Sequence, residues 1–362
     1  VETTVYIPTL RAGQRLAQTL ESLERQEPRP RVVVVDNSTE GLGEELVRSR
    51  FPWAQSVAFG VNLGFGAALN RAVREVPGDP IVFFNDDVSA EPGFIAGLTG
   101  ALTPGVGMVA GVLLSEVDPG RIDSAGVIAD RTLLGFDYLN GEAVEALESA
   151  GDPLGPTGGA ALYRRSAFER VGGFDEGIFL YYEDLDLALR MRLAGFDCRL
   201  APSARGIHAY SETLGANTGR KYAMTGWSRG YLLRAYGFGK RPLLLARAIA
   251  VEGAICVGQV VFQRTVQGAR ARLASRARRD TALHPGGRAA RYLGTRSARP
   301  APTTPPGLSA AGGLAYGQSS SLDVVTNSAS HGRSDRSVGT PTRAGPDGRS
   351  GTTANPSAKR LS

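Results

Sequence analysis

Hydrophobic positions in the first part of the chain come in two alternating textures. Short, nearly unbroken apolar runs at residues 3–7, 31–35, 56–59 and 81–84 predict strands. Between them, apolar residues recur every three or four positions. Leu16, Ala17, Leu20 and Leu23 mark one face of a helix over 14–23, and helices are predicted over 43–48 and 64–75. Four consecutive valines at 32–35 fit a strand covered on both faces, as in a parallel sheet, and Pro8 closes the first strand. Strand and helix in strict alternation predict an α/β domain: a mostly parallel, doubly wound central sheet flanked by helices.

After Asp87 the texture changes. The pattern predicts a helix over 91–102, a strand over 107–114, and only loop or small antiparallel pieces between 121 and 151. Strands at 160–163 and 198–201 bracket a helix at 184–193, and a further helix covers 217–235. Residues 242–279 predict one long basic helical extension. From Thr281 onward Gly, Ser, Thr, Pro and Arg dominate, which predicts a disordered tail without a catalytic role. The expected organisation is a catalytic domain at 1–239, a basic and partly apolar helical extension at 240–280, and the tail at 281–362.

Composition sharpens this division. The net charge of +6 conceals 22 Lys and Arg against 30 Asp and Glu in residues 1–239, 9 against 2 in 240–280, and 10 against 3 in 281–362. An acidic domain joined to a basic module points to an anionic surface as partner, membrane or nucleic acid. The basic segment lacks aromatic interleaving and any nucleic-acid-binding motif, which counts against nucleic acid. Residues 243–262 are apolar enough to touch a membrane, but Arg247 and Glu252 make a crossing costly. An interfacial helix, or one packed on the domain, is the expectation. Cys198 and Cys256 have neither zinc-ligand nor disulfide-framework spacing and read as buried apolar residues in a reducing compartment. No signal peptide is expected, since residues 1–4 lead straight into a strand, although the missing initiator Met leaves the N-terminus open.

Four constellations carry chemistry. Asp36, directly after the valine strand in Asp-Asn-Ser, sits where α/β sheets bind ligands and could accept from the imide N–H of uracil or thymine; capping of the next turn is an equal alternative. Asn62-Leu-Gly64-Phe-Gly66 offers a cap and close backbone approach, but Leu69 stands where a dinucleotide fingerprint needs its third glycine. In Asn85-Asp86-Asp87, two carboxylates follow a buried strand, a costly arrangement unless a cation or substrate balances them. A hard divalent ion sharing one carboxylate with a diphosphate would do so. In Tyr181-Tyr182-Glu183-Asp184-Leu-Asp186, three acids crowd the first turn of a helix behind a Gly172-Gly-Phe-Asp-Glu loop. One of them could deprotonate an acceptor hydroxyl, against the alternative that all three serve the helix dipole.

In this order, with Ile7-Pro8, Thr157-Gly158-Gly159-Ala160 and His208 in their places, residues 3–240 resemble the family 2 glycosyltransferases of GT-A fold. The resemblance implies an inverting hexosyltransferase that uses a nucleotide-diphospho-sugar and Mg2+ or Mn2+. It implies donor contacts from Pro8, Asp36, Asn62, Gly64 and Asp86, and a metal held by Asp87 and His208 with Asn85 at the first position of the family's D-x-D element. It further implies a general base at Asp184 with Glu183 beside it, and an acceptor site bordered by Gly158 and Gly159. The motif variants look most like bacterial rhamnosyltransferases of cell-wall and surface polysaccharide assembly, with dTDP-rhamnose as donor and a glycan or polyprenyl-linked glycan as acceptor. Such an enzyme would be cytoplasmic and peripheral on the inner face of the membrane. Galactofuranosyl and other hexosyl transferases share much of the pattern. A nucleotidyltransferase would need a glycine-rich basic loop after the first strand, which Pro8–Gly13 lacks. A non-catalytic nucleotide-sugar or nucleic-acid binding protein is the rival from another class.

Overall fold

The computed structural model describes residues 2–209 and 219–275, all within one unit; the expected tail, and residues 210–218, lie outside the described residues. Strands and helices alternate as the pattern predicts: β1 (Thr4–Thr9), α1 (Gln14–Glu24), β2 (Arg31–Asp36), α2 (Leu42–Arg50), β3 (Gln55–Ala58), α3 (Phe65–Glu75) and β4 (Ile81–Phe84). Then come β5 (Val88–Ala90), α4 (Phe94–Gly100) and the long β6 (Val106–Ser115). Three short strands follow, β7 (Ile122–Ser124), β8 (Val127–Ala129) and β9 (Gly135–Asp137), within the stretch expected to hold small antiparallel pieces. β10 (Ala160–Tyr163), α5 (Arg165–Arg170), α6 (Glu183–Leu193), β11 (Asp197–His208), α7 (Gly219–Ala235), α8 (Pro242–Gln263) and α9 (Gln267–Ala274) complete the described chain.

The central sheet runs β3-β2-β1-β4-β10-β6-β11-β5, with β7 also on β6. Its first four strands are parallel. Beyond β4 it is mixed: β10 is antiparallel to both neighbours, β6 and β11 are parallel, and β5 is antiparallel to β11. Apolar layers cover both faces, which is why the strands read as solid apolar runs. Val33 and Val35 enter one layer with Tyr6, Leu69, Phe83 and Phe174, while Val32 and Val34 enter the other with Ile7, Leu20, Phe84 and Phe94. Phe83 is ringed by Tyr6, Tyr163, Phe168 and Phe174 at centroid distances of 5.2–6.1 Å. Burial of such a side chain contributes about 1.5–3 kcal/mol.

Three departures from the pattern have local causes. β1 continues through Pro8, because its register with β4 ends at Tyr6 and the missing N–H deprives no ladder partner there. β11 continues to His208, because residues 201–204 carry a register shift between Leu200 and Arg205 instead of ending the strand. The long C-terminal helix breaks at Arg264, whose φ of 51° is left-handed, and α9 folds back onto α7. The crossing is close enough that a side chain at Gly226 would run into Gly268.

One carboxylate joins the three last helices. Glu252 of α8 accepts from Nε of Arg229 on α7 at 2.7 Å and from Nε of Arg272 on α9 at 2.6 Å. Arg229 is fully buried and also donates to the carbonyls of Thr132 and Leu133, between β8 and β9.

Candidate active site

An open cleft lies at the carboxyl ends of β1 and β4. Its walls hold Pro8, Asn62, Gly64, Asn85, Asp86, Asp87, Gly158, Gly159, Glu183, Asp184 and His208, every expected site residue except Asp36. That residue is fully buried behind the wall, under the start of α2. Its Oδ1 accepts from the N–H and hydroxyl of Ser38, and its Oδ2 accepts from the N–H groups of Gly43 and Glu44. The bonds from Gly43 and Glu44 cap the first turn of α2, the alternative reading of this motif. The neighbouring Asn37 reaches the cleft instead. It donates to Asn62 Oδ1 and the Gly64 carbonyl and accepts from the Leu63 N–H.

The turn at Asn62 is held by backbone constraints. Asn62 Oδ1 accepts from the Gly64 N–H at 2.9 Å. Gly64 has φ +86°, and an added Cβ would lie 2.6 Å from the Phe179 carbonyl, so only glycine fits there. That carbonyl accepts from the Phe65 N–H, which seats the 172–182 loop against α3. Asn70 clamps the same loop by bonding both the N–H and the carbonyl of Phe174, and Ser228 and Tyr231 of α7 hold Leu180 and Asp175.

Sheet pairing builds the acidic centre. Register between β5 and β11 sets Val88 opposite His208, which brings Asp87 to the imidazole: Nε2 lies 3.3 Å from Asp87 Oδ1. That oxygen is buried, and the imidazole nitrogen is its charged neighbour. On the other side, His208 Nδ1 is 2.6 Å from Asp123 Oδ2. Burial disfavours the imidazolium, but the hydrogen bonds and charges of Asp123 and Asp87 outweigh it and push the pKa up to about 10. Asp86 turns away to accept from the Thr9 hydroxyl at 2.6 Å, and burial raises its carboxyl to about 6.

Among the described residues no cluster of three or more His, Cys, Asp or Glu is placed to hold a metal ion. Asp87 and His208 do fit two positions of one. Cis ligands about 2.1 Å from an octahedral ion stand about 3 Å apart, near the observed 3.3 Å. A buried carboxylate oxygen beside an imidazole nitrogen is a donor set that a divalent cation would satisfy by displacing the imidazolium proton, with further oxygens from a diphosphate.

At the start of α6 the backbone passes through left-handed conformations at Tyr181 (φ 67°) and Tyr182 (φ 72°), which turn Glu183 and Asp184 into the cleft. Asp184 Oδ2 accepts from the Gly158 N–H at 3.3 Å. Glu183 Oε2 is buried without a partner; burial first, then the charge of Asp184, raise its pKa to about 8. Asp186, the third acid of the turn, is structural: it forms a buried pair with Arg190 at 2.8 Å and accepts from the Tyr236 hydroxyl. Gly158 and Gly159 line the cleft because space is short, since a Cβ on Gly159 would press on Asn85 and Leu113.

Sequence reasoning missed Asp123, Asp137, Asn140, Arg220 and Lys221, all in the cleft wall. The first three lie in the weakly periodic 121–151 stretch, and the acids among them were the only available signal. Burial, with Asp123 nearby, raises Asp137 to about 7.

Residues 4–172 match the family described as Glycosyl transferase family 2. Over 234 residues the chain is 32% identical to the N-acetylglucosaminyl-diphospho-decaprenol L-rhamnosyltransferase of Mycobacterium tuberculosis, in two strains, covering 57% of this chain and 76% of the relative. A 51-residue stretch, 14% of this chain and 19% of the relative, is 49% identical to the rhamnosyltransferase WbbL of Escherichia coli K12. Among solved structures, GalNAc-T7 with UDP, GalNAc and Mn2+ superposes with a TM-score of 0.50 at 13% identity, over 68% of this chain and 51% of that one, a likeness of fold alone.

Proposed function

The chain belongs to glycosyl transferase family 2, and on that premise we propose that it moves a sugar from a nucleoside diphosphate to a glycan hydroxyl in one inverting displacement. The observation that carries the reading is the presence in one cleft of the Asp87–His208 pair and the Glu183–Asp184 pair. The first suits a metal-bound diphosphate, the second a proton transfer.

Asp87 and His208 would hold a divalent cation, Mg2+ or Mn2+, and Asn85 lines the same wall. Bound there, the ion would supply positive charge to the departing diphosphate. Asn62, Gly64 and Asn37 shape the donor end with Pro8. Asp184, oriented by the Gly158 N–H, takes the acceptor proton. Glu183 retains its proton near neutral pH, so the pair carries one negative charge and not two.

The names of the relatives favour L-rhamnose as the transferred sugar and a polyprenyl-diphosphate-linked glycan as acceptor, and the proposed donor is dTDP-rhamnose. A lipid-linked acceptor would put the enzyme at a membrane surface, and the cytoplasmic face is the proposed location. Thermal unfolding with dTDP-rhamnose, UDP-galactofuranose, UDP-glucose or GDP-mannose, each with Mn2+ or chelator, tests the reading. Metal-dependent protection by dTDP-rhamnose, lost in Asp87→Ala, is expected. Protection by another donor would replace the sugar, and protection by none would overturn the site.

A further inference from the structure

Of the twelve large apolar side chains that stand exposed among the described residues, eight lie between Leu243 and Leu273. Most belong to α8. Its 22 residues make a rod about 33 Å long at 1.5 Å per residue. The mean hydropathy of its most apolar window is 1.7, yet only 17% of that window is buried. The inward stripe is narrow: Ala248, Glu252, Ile255 and Gln259, spaced four, three and four apart. Leu243 is 87% exposed and Phe262 69%, with Val257 and Val261 near 60%.

Such a rod is long enough to cross a bilayer, but its mid-point argues against crossing. Glu252 is bound by Arg229 and Arg272, and Arg229 is fully buried in the protein. Crossing would carry that carboxylate to the membrane midplane and leave Arg229 without its counter-charge. Lying flat keeps the staple intact and still removes the outward apolar face from water. Charge selects the surface. Between residues 240 and 275 the one acid is Glu252, turned inward, while Arg247, Arg264 and Arg270 are exposed.

We propose that α8 is a monotopic membrane helix, lying in the plane of an anionic lipid surface. Leu243, Val257, Val261 and Phe262 enter the acyl boundary, and the arginines reach the headgroups by extending their aliphatic stems. The assignment stands on α8 alone and does not depend on the donor sugar.

Co-sedimentation of the full chain with phosphatidylcholine vesicles, with and without phosphatidylglycerol, tests it. The chain is expected to bind the anionic vesicles, to be released by high salt, and to be stripped by alkaline carbonate. In Val257→Asp/Val261→Asp/Phe262→Asp the bound fraction should fall at least tenfold, and in Arg264→Glu/Arg270→Glu several-fold. Unchanged thermal unfolding of both variants certifies their fold. Absence of binding by the wild type, undiminished binding by the triple variant, or resistance to carbonate would each overturn the proposal. So would a dimer, seen by light scattering, that the triple variant dissociates while the wild type ignores vesicles. No donor or metal is present in the assay, so its failure is separate from failure of the catalytic reading.

Discussion

Replacing Glu183 by Gln should flatten the dependence of stability on pH. Its carboxyl rises from 4.5 to about 8 because the side chain is buried beside Asp184. Between those values the folded protein holds a proton that the unfolded chain has released. Stability linked to this group is therefore greatest below pH 4.5 and declines as pH rises toward 8. The slope reaches about 1.4 kcal/mol per pH unit at most, a few kcal/mol across the window. Asp86, raised to about 6, and Asp137, raised to about 7, tilt the wild-type profile in the same direction, so the informative quantity is the difference between proteins. Denaturant unfolding of wild type and Glu183→Gln from pH 5 to 9 measures it. The variant should gain on the wild type as pH rises, and with Asp184 as base it should keep transfer activity within about tenfold, whereas Asp184→Asn should lose about a hundredfold or more. Parallel pH profiles would refute the shared-proton account. Loss of activity in Glu183→Gln equal to that of Asp184→Asn would move the base to Glu183.

Further outcomes follow from the same geometry. Asp123→Asn should weaken Mn2+ binding, read as donor-dependent thermal protection, by about 10–100-fold, since it removes the carboxylate that orients His208. Glu252→Ala should cost about 3–5 kcal/mol in denaturant unfolding by stranding Arg229, while Glu252→Ala/Arg229→Met should recover much of that loss. Gly64→Ala should cost about 1–3 kcal/mol from its left-handed backbone and its meeting with Phe179, and should raise the KM for donor more than it lowers kcat.

The sequence announced elements whose side chains answer to local rules. Ile81–Phe84 and Ala160–Tyr163 fall where the apolar runs put them, because each is sealed on both faces. Asp87 and Asp184 could be read as candidate chemistry because acids that follow a buried strand or open a buried helix are costly without a function, whereas His208 entered only through the family resemblance. Asp123 was hidden for a topological reason. It sits on β7 and His208 on β11, and the two strands flank the end of β6, a neighbourhood that appears only when the sheet is assembled. Asp36 shows the converse: its motif was conspicuous, yet four local donors consume its oxygens. The break at Arg264 carried no glycine or proline signal, since an arginine adopts the left-handed turn there.

The three-way contact at Glu252 also decides where the chain can be cut. A fragment ending at residue 239, the boundary that charge alone suggests, would retain Arg229 in the interior with no acid to meet it, and would uncover the glycine-lined side of α7 on which α9 rests. Fragments prepared for crystallisation or donor screening should run through Ser275, and solubility is better sought by polar substitution on the outer face of α8 than by removing the helix.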